Sequence, residues 1–380
     1  MSHAVRGTDT GLGVIVLQIC GGTVIPRAMI LIIGPFPPPV HGFSVITEAL
    51  AQTLEVDHAV ARVNLSSNAR NPWLRHLAQM SKCLSAVAHL IRFRLRGGKR
   101  VSLGSNGGWG MLYTLALMMT ARLIGCHTVL HHHSYTYINA RSRLMAGICR
   151  IGGKSVAHVF LSQSMQDAFF ALYPQQGPAH VLANAMFVPE QPIRVTTPGR
   201  ITIGLLSNLS ADKGLYDFIA AAERLHVEGI AVDMVLAGPV ADPVDAAAIT
   251  KAEKAGILRT TGPLYGEAKI AFFASIDLFV FPTRYRHEAQ PTVIYEAFAA
   301  GVPVIAFDRG CIADQVGNSL TTLPQDSDFA AHVVARCREL QQLDAAGWAQ
   351  LHELARQRHR DDSAAGERTL AVLFGARTHR

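Results

Sequence analysis

Short apolar runs rich in branched residues, each stopped by glycine or polar residues and followed by a segment of helical periodicity, recur along this chain. The first is Met29-Ile-Leu-Ile-Ile33, ended by Gly34. Runs at 101–103, 128–130 and 158–161 follow, alternating with helix-like segments at 45–54, 111–124 and 166–172. An unbroken run of this kind predicts a strand buried on both faces, and strands alternating with helices predict a parallel sheet covered on both sides. A stretch bearing Pro189, Pro192 and Pro198 interrupts the rhythm and reads as an interdomain linker over 188–198. The rhythm then resumes, with strands expected at 201–205, 233–236, 278–281 and 304–307 and helices at 214–226, 267–275 and 292–300. The expected fold class is α/β: two Rossmann-like, doubly wound domains facing each other across a cleft. In such sheets ligands sit beyond the carboxyl ends of the strands.

The length of 380 residues suits two cores rather than one. The expected division is an extension over 1–28, an amino-terminal domain over 29–187, a second domain over 188–345, and a helical segment over 346–380 that packs back on the first domain. With 49% hydrophobic and 17% charged residues, a disordered chain is excluded. Lys and Arg number 35 against 28 Asp and Glu, and the resulting +7 favours an anionic partner: a sugar nucleotide, an acidic lipid surface or nucleic acid. Six cysteines without a CxxC pair or a His/Cys cluster point to a reducing compartment and no structural zinc.

Two apolar stretches invite a membrane reading. Residues 11–26 follow Arg6, but Asp9 and the glycines and glutamine argue against a signal peptide, so the fold is expected to begin near Met29 in a cytoplasmic protein. Residues 101–121 carry no charge, yet Gly104-Ser-Asn-Gly-Gly108 would leave unpaired backbone in lipid. That stretch therefore reads as strand, loop and helix.

The most informative segment follows the run ending at Phe281. It reads Pro282-Thr-Arg-Tyr-Arg-His-Glu288-Ala-Gln-Pro-Thr-Val-Ile-Tyr-Glu296-Ala-Phe-Ala-Ala-Gly301-Val-Pro-Val304. Pro291 suits the first helical turn and Gly301 with Pro303 suits the stop. Glu288 then lies in a loop facing the cleft and Glu296 on the helix below it. The backbone donors of Gln290, Thr292 and Val293 at the helix start would receive an anion or a dense set of hydroxyls. Carboxylates only accept hydrogen bonds, so two of them beside an anion site are explained by a ligand that brings both hydroxyls and phosphate. The plain alternative is a capping Glu288 and a solvated Glu296.

Here the sequence resembles the retaining glycosyltransferases of the GT-B fold, family 4 (group 1) type, whose fingerprint is E-x7-E followed by A-x-A-x-G-x-P-V. Glu288, Glu296, Ala297, Ala299, Gly301, Pro303 and Val304 match it. The resemblance implies that Glu288 contacts the donor sugar and Glu296 the ribose hydroxyls of a nucleoside diphosphate sugar, with no cofactor or metal. The segment from Gly204 to Lys213-Gly214 resembles the family's phosphate-binding stretch, except that Asn208 stands where an arginine is expected. Lys213 and the backbone at Gly214 would then meet the leaving diphosphate without a bidentate guanidinium. The proline-rich loop from Gly34 to Gly42 resembles the glycine loop of bacterial exopolysaccharide glycosyltransferases.

In His131-His-His133, alternate residues point to opposite sides, so a three-histidine metal site is not expected. The resemblance favours His133 as the residue lining the cleft, with His131 as the alternative. Ser162 and Asn184 match family positions but also suit caps or turns, and Asp326-Ser-Asp328 reads as a solvated loop rather than a metal motif.

Between 70 and 100, Arg75, Lys82, Arg92, Arg94, Arg96 and Lys99 mix with Trp73, Leu74, Leu77, Leu84, Val87, Leu90, Ile91 and Phe93. This basic amphipathic segment suits an anionic membrane surface, or equally a helix packed on the core with a solvated basic face. The expected function is sugar transfer from a nucleoside diphosphate sugar to a lipid-linked saccharide acceptor in bacterial surface or exopolysaccharide synthesis, at the inner face of the plasma membrane, with no nucleic acid partner. A catalytically silent binding subunit is the alternative. A nicotinamide-dependent oxidoreductase is disfavoured, since no G-x-G-x-x-G follows a strand with an acidic residue at the right distance.

Overall fold

The computed structural model describes residues 18–20, 23–25, 28–66, 72–105, 107–192, 200–317 and 321–375. Most of the expected extension, the linker beyond 192, Arg70 and Asn106 lie outside them, as do the side chains of Trp73, Leu74 and Arg75. β1 (Gln18–Cys20) and β2 (Thr23–Ile25) form a small antiparallel hairpin.

The first sheet contains β3 (Met29–Gly34), β4 (Ala59–Asn64), β5 (Arg100–Ser105), β6 (His127–His132), β7 (Val156–Phe160) and β8 (Ala179–Val181). The second contains β9 (Ile201–Leu206), β10 (Val232–Ala237), β11 (Arg259–Gly262), β12 (Leu278–Phe281), β13 (Val304–Phe307) and β14 (Thr321–Leu323). Both are wholly parallel, in the orders β4-β3-β5-β6-β7-β8 and β11-β10-β9-β12-β13-β14. The central strands are largely apolar because both faces are covered. Leu31 and Ile33 point into one core with Leu103 and Leu130, while Ile30 and Ile32 point into another with Leu50 and Leu54. In the second sheet Leu278 and Val280 face one layer and Phe279 and Phe281 the other. Each such side chain contributes about 1.5–3 kcal/mol on burial.

The second sheet has the strand order of dinucleotide-binding folds, and the first has the order seen in flavodoxin-like folds. Their switch points lie between β3 and β5 and between β9 and β12. The loops leaving these four strands converge on one cleft between the domains.

The carboxy-terminal helix, Ala345–Phe374, is 30 residues and so about 45 Å long. Trp348 and Leu351 pack in the second core, while Leu370 and Phe374 pack against Ile30 and Ile32 of the first. On the way His359 hydrogen-bonds the Val188 carbonyl at 2.8 Å, and Thr369 donates to the Val181 carbonyl at 2.9 Å. The stretch 101–121 forms β5, a loop and the helix Gly110–Leu123. Among the described residues no helix is long and apolar enough to cross a membrane.

Candidate active site

The cleft encloses about 780 Å³ and is lined by both domains. Its second-domain wall is built where the loops after β9 and β12 press together. Gly214 has φ +80, and a Cβ there would fall 2.1 Å from the Pro282 carbonyl oxygen. Only glycine allows that approach. It carries the short turn Ala211–Lys213 to the β12 loop, where Lys213 Nζ donates to Glu288 Oε2 at 2.5 Å. Thr283, fully buried, donates to the same oxygen at 3.1 Å, and the Lys213 ammonium lies 4.6 Å from the centre of the Tyr285 ring. Glu288 is held from below as well: Gly310, at φ +61, leaves no room for a Cβ beside the Glu288 carbonyl, and Cys311 N donates to Ala289 O at 2.8 Å.

Glu296 lies one helical turn into Thr292–Ala299 and is only 8% exposed, which excludes the solvated alternative. Lys269 Nζ, from the helix Gly266–Ser275, donates to its Oε1 at 2.6 Å. Its Oε2 is buried without a hydrogen-bond partner. Thr292 and Val293 line the cleft at the first turn of that helix. Pro291 takes the cap position, with φ −65 and ψ 123, rather than the first turn expected from sequence. Its extended ψ keeps it outside the helix.

Gln290 lines the cleft, and besides the backbone N–H expected to serve a ligand it carries contacts within the protein. Gln290 Oε1 accepts from Asn184 N at 2.7 Å, its Nε2 donates to Leu161 O at 2.8 Å, and its carbonyl accepts from Asn184 Nδ2 at 2.9 Å. The Gln290 side chain thus ties the two domains together under the cleft floor. Gly214 N donates to Ala211 O and Leu215 N to Ser210 O, so the backbone at Gly214 is closed on its own turn and is absent from the cleft lining. Gly34 also misses the cleft: it ends β3 against Thr47, with 3.3 Å between a built Cβ and Thr47 Cγ2. Asn208 is exposed and lines the cleft without adding a charge.

From the first domain, His41, Gly42 and Phe43 reach the cleft at the start of the helix Gly42–Glu55. His41 Nδ1 accepts from Ser44 N at 3.2 Å while Ser44 Oγ accepts from His41 N at 3.0 Å, a reciprocal cap. A built Cβ on Gly42 meets nothing within 4 Å, so this glycine serves no close approach inside the protein. His133 stacks on Phe43 with 4.2 Å between ring centres and lines the cleft. Burial, then the neighbouring His131, pushes its pKa down to about 3, so it enters as a neutral imidazole. His131 lies on the same side and His132 on the other, bonded to His158 at 3.0 Å. Ser162 caps the helix Gln163–Leu172, and Asp328 caps Phe329–Gln341. Among the described residues no group of three or more His, Cys, Asp or Glu is arranged to hold a metal ion.

The principal residue that sequence reasoning passed over is Lys269. A lone lysine on a half-exposed helix carries no spacing signal, and only the tertiary approach to Glu296 reveals it. Gly238 was also hidden: it has φ +136, and a Cβ would fall 1.8 Å from the Ser207 carbonyl oxygen. The cleft thus offers two carboxylates to hydroxyl donors, and a lysine with a helix start to an anion.

Residues 200–340 match the sequence profile of the family described as glycosyl transferases group 1. A GDP-mannose-dependent alpha-mannosyltransferase of Mycolicibacterium smegmatis is 35% identical over 130 residues, 34% of this chain and 32% of that protein. The match therefore spans about a third of the curated relative's length. Sucrose-phosphate synthase from Thermosynechococcus elongatus superposes with a TM-score of 0.66 at 13% identity, covering 92% of this chain and 100% of that one. HepE of Anabaena, in complex with UDP, also gives 0.66, at 17% identity and with 91% and 100% covered.

Proposed function

We propose, from the premise that this chain has the GT-B fold and carries a group 1 glycosyltransferase domain over residues 200–340, that it moves a sugar from a nucleoside diphosphate sugar to a hydroxyl of a saccharide acceptor, with retained anomeric configuration and without a metal. The observation that carries this reading is the pair of cleft carboxylates, Glu288 fixed by Lys213 and Thr283, and Glu296 with one oxygen unpartnered. Donor-sugar hydroxyls bond Glu288, and ribose hydroxyls bond Glu296. An ammonium has three donors, so Lys213 can keep Glu288 while a second N–H meets the diphosphate, together with the helix start at Thr292. Preorganised donors of this kind stabilise charge that grows on the departing phosphate oxygen. Glu288, already bound by two partners, serves to hold the sugar rather than to attack it. The acceptor oxygen therefore approaches on the face the diphosphate leaves, its proton passing to the departing phosphate. His133 hydrogen-bonds the sugar as a neutral group.

The acceptor we assign is a lipid-linked saccharide of bacterial surface or exopolysaccharide assembly, met at an anionic membrane on the cytoplasmic side. The support is the helix Pro72–Leu95, which exposes Leu77, Met80, Leu84 and Leu95, the last two 71% and 82% exposed, beside Arg92, Arg96 and Lys99. The adjacent helix Gly110–Leu123 adds Leu112, Met119 and Leu123. The core-packed alternative accounts for Leu90 and Phe93, which are buried, but not for these exposed apolar side chains.

One observation favours a second reading, a weak or silent binding subunit: the two lysines that line the cleft, Lys213 and Lys269, are each paired with a carboxylate, and Asn208 adds no charge. Release of nucleoside diphosphate from a panel of sugar nucleotides separates the two. GDP-mannose and UDP-glucose come first, since the curated relative is named for GDP-mannose and the Anabaena structure holds UDP. Turnover with any member supports the transferase, and binding without release supports the silent subunit.

A further inference from the structure

The Lys269–Glu296 contact has no part in the chemistry of transfer, yet it joins a buried carboxylate of the cleft to one of its two lysines. A carboxylate taken out of water is stable as an anion only when paired and hydrogen-bonded. Lys269 meets that need through Oε1 alone, at 2.6 Å. Oε2 is left buried, with no partner and with only acceptor capacity. Glu296 lines the cleft, so once its side chain gives Oε2 access to that space, an O–H or N–H brought by a ligand can complete it. Because Lys269 occupies one oxygen, the carboxylate cannot turn that oxygen to the ligand without giving up its counter-ion.

We propose that Lys269 is a positioning residue that fixes Glu296 so that Oε2 reads the ribose hydroxyls, and so makes the cleft select ribonucleotides over their deoxy counterparts. This inference rests on the reading of the cleft as a sugar-nucleotide site. It assigns to Lys269 no contact with the nucleotide itself. The effect is on discrimination: a hydroxyl donated to a charged, buried acceptor is worth about tenfold or more in affinity.

The test is calorimetric binding of UDP, GDP, CDP and ADP to the full-length protein, followed by the 2′,3′-dideoxy form of whichever binds most tightly. Wild type is expected to prefer the ribonucleotide by about tenfold or more. Lys269→Met, shown to be folded by circular dichroism and thermal melting, is expected to bind the ribonucleotide as weakly as wild type binds the dideoxy form, with dideoxy affinity unchanged. Lys269→Arg keeps the ion pair and should restore most of the preference. If Lys269→Met does not fold, Lys269→Arg and Glu296→Gln decide: the first must retain the preference and the second must lose it. Equal preference in wild type and Lys269→Met overturns the proposal while leaving the nucleotide reading intact. Loss of dideoxy binding in Lys269→Met overturns it too, since Lys269 would then touch the nucleotide directly. Failure of wild type to bind any of the four nucleotides removes the nucleotide reading and this inference with it.

Discussion

An ammonium 2.5 Å from a carboxylate, as Lys213 is from Glu288, holds both side chains in one geometry and leaves little net charge in the cleft. Lys213→Met should then do two things: release Glu288 from its position and remove the cation facing the diphosphate. We expect kcat to fall by roughly 10²–10³, the usual worth of one preorganised group, with the melting temperature close to wild type. The pair exists because of Gly214, whose missing Cβ lets the β9 loop touch Pro282. Gly214→Ala should strain the backbone and overpack that contact, destabilising the protein by about 2–5 kcal/mol, read as a lowered urea midpoint. At this scale Glu288 and Glu296 stand out in the sequence because their spacing belongs to one loop and the helix after it, and Lys213 because its own loop after β9 resembles a phosphate-binding stretch. The sequence did not show Lys269, nor that Gln290 is turned to Asn184, because both depend on segments far apart in the chain.

Elements were legible in proportion to their burial. The central strands β3, β5, β6, β9, β12 and β13 stand out as apolar runs because helices cover both their faces. Apart from the small hairpin β1–β2, the strands not anticipated were β4, β8, β11 and β14, the four edges of the two large sheets. Half-buried residues such as those of Ala179–Val181 leave no unbroken apolar run to read. The helix Pro72–Leu95 is ambiguous in sequence for a related reason, since it buries Leu90 and Phe93 while exposing Leu77 and Leu84. Replacing Leu77 and Leu84 together by Glu should leave the fold intact, these being exposed positions, and should weaken sedimentation with anionic vesicles several-fold. Each basic residue near such a surface contributes about 1 kcal/mol, so the remaining binding should fall further with added salt. Equal sedimentation of the double variant and wild type would count against the membrane face.

Across the whole molecule, two sheets of different strand order place their switch points on one cleft. The links that keep them together include the Asn184–Gln290–Leu161 set of hydrogen bonds, the bonds from Asn139 to the Arg286 carbonyl and from Ser164 N to Asp314, and the helix Ala345–Phe374, which has ends in both cores. Acidification should test the buried histidines of the first sheet. Burial pushes His131 and His158 down to about 4, while unfolded they titrate near 6.5. Being bases with depressed pKa values, they bind more protons when unfolded. Their contribution is fully present above about pH 6.5 and is lost as pH falls toward 4, with a slope of about 1.4 kcal/mol per unit for each. Denaturation midpoints should therefore be flat above neutrality and drop below about pH 6. The central claim is that this cleft releases nucleoside diphosphate because Glu288 holds the sugar. It is met most directly by incubating wild type and Glu288→Ala with the sugar-nucleotide panel and measuring the free diphosphate. The account predicts release by wild type from at least one member, unchanged by EDTA, and no release above background by a folded Glu288→Ala; near-normal release by that variant would contradict it.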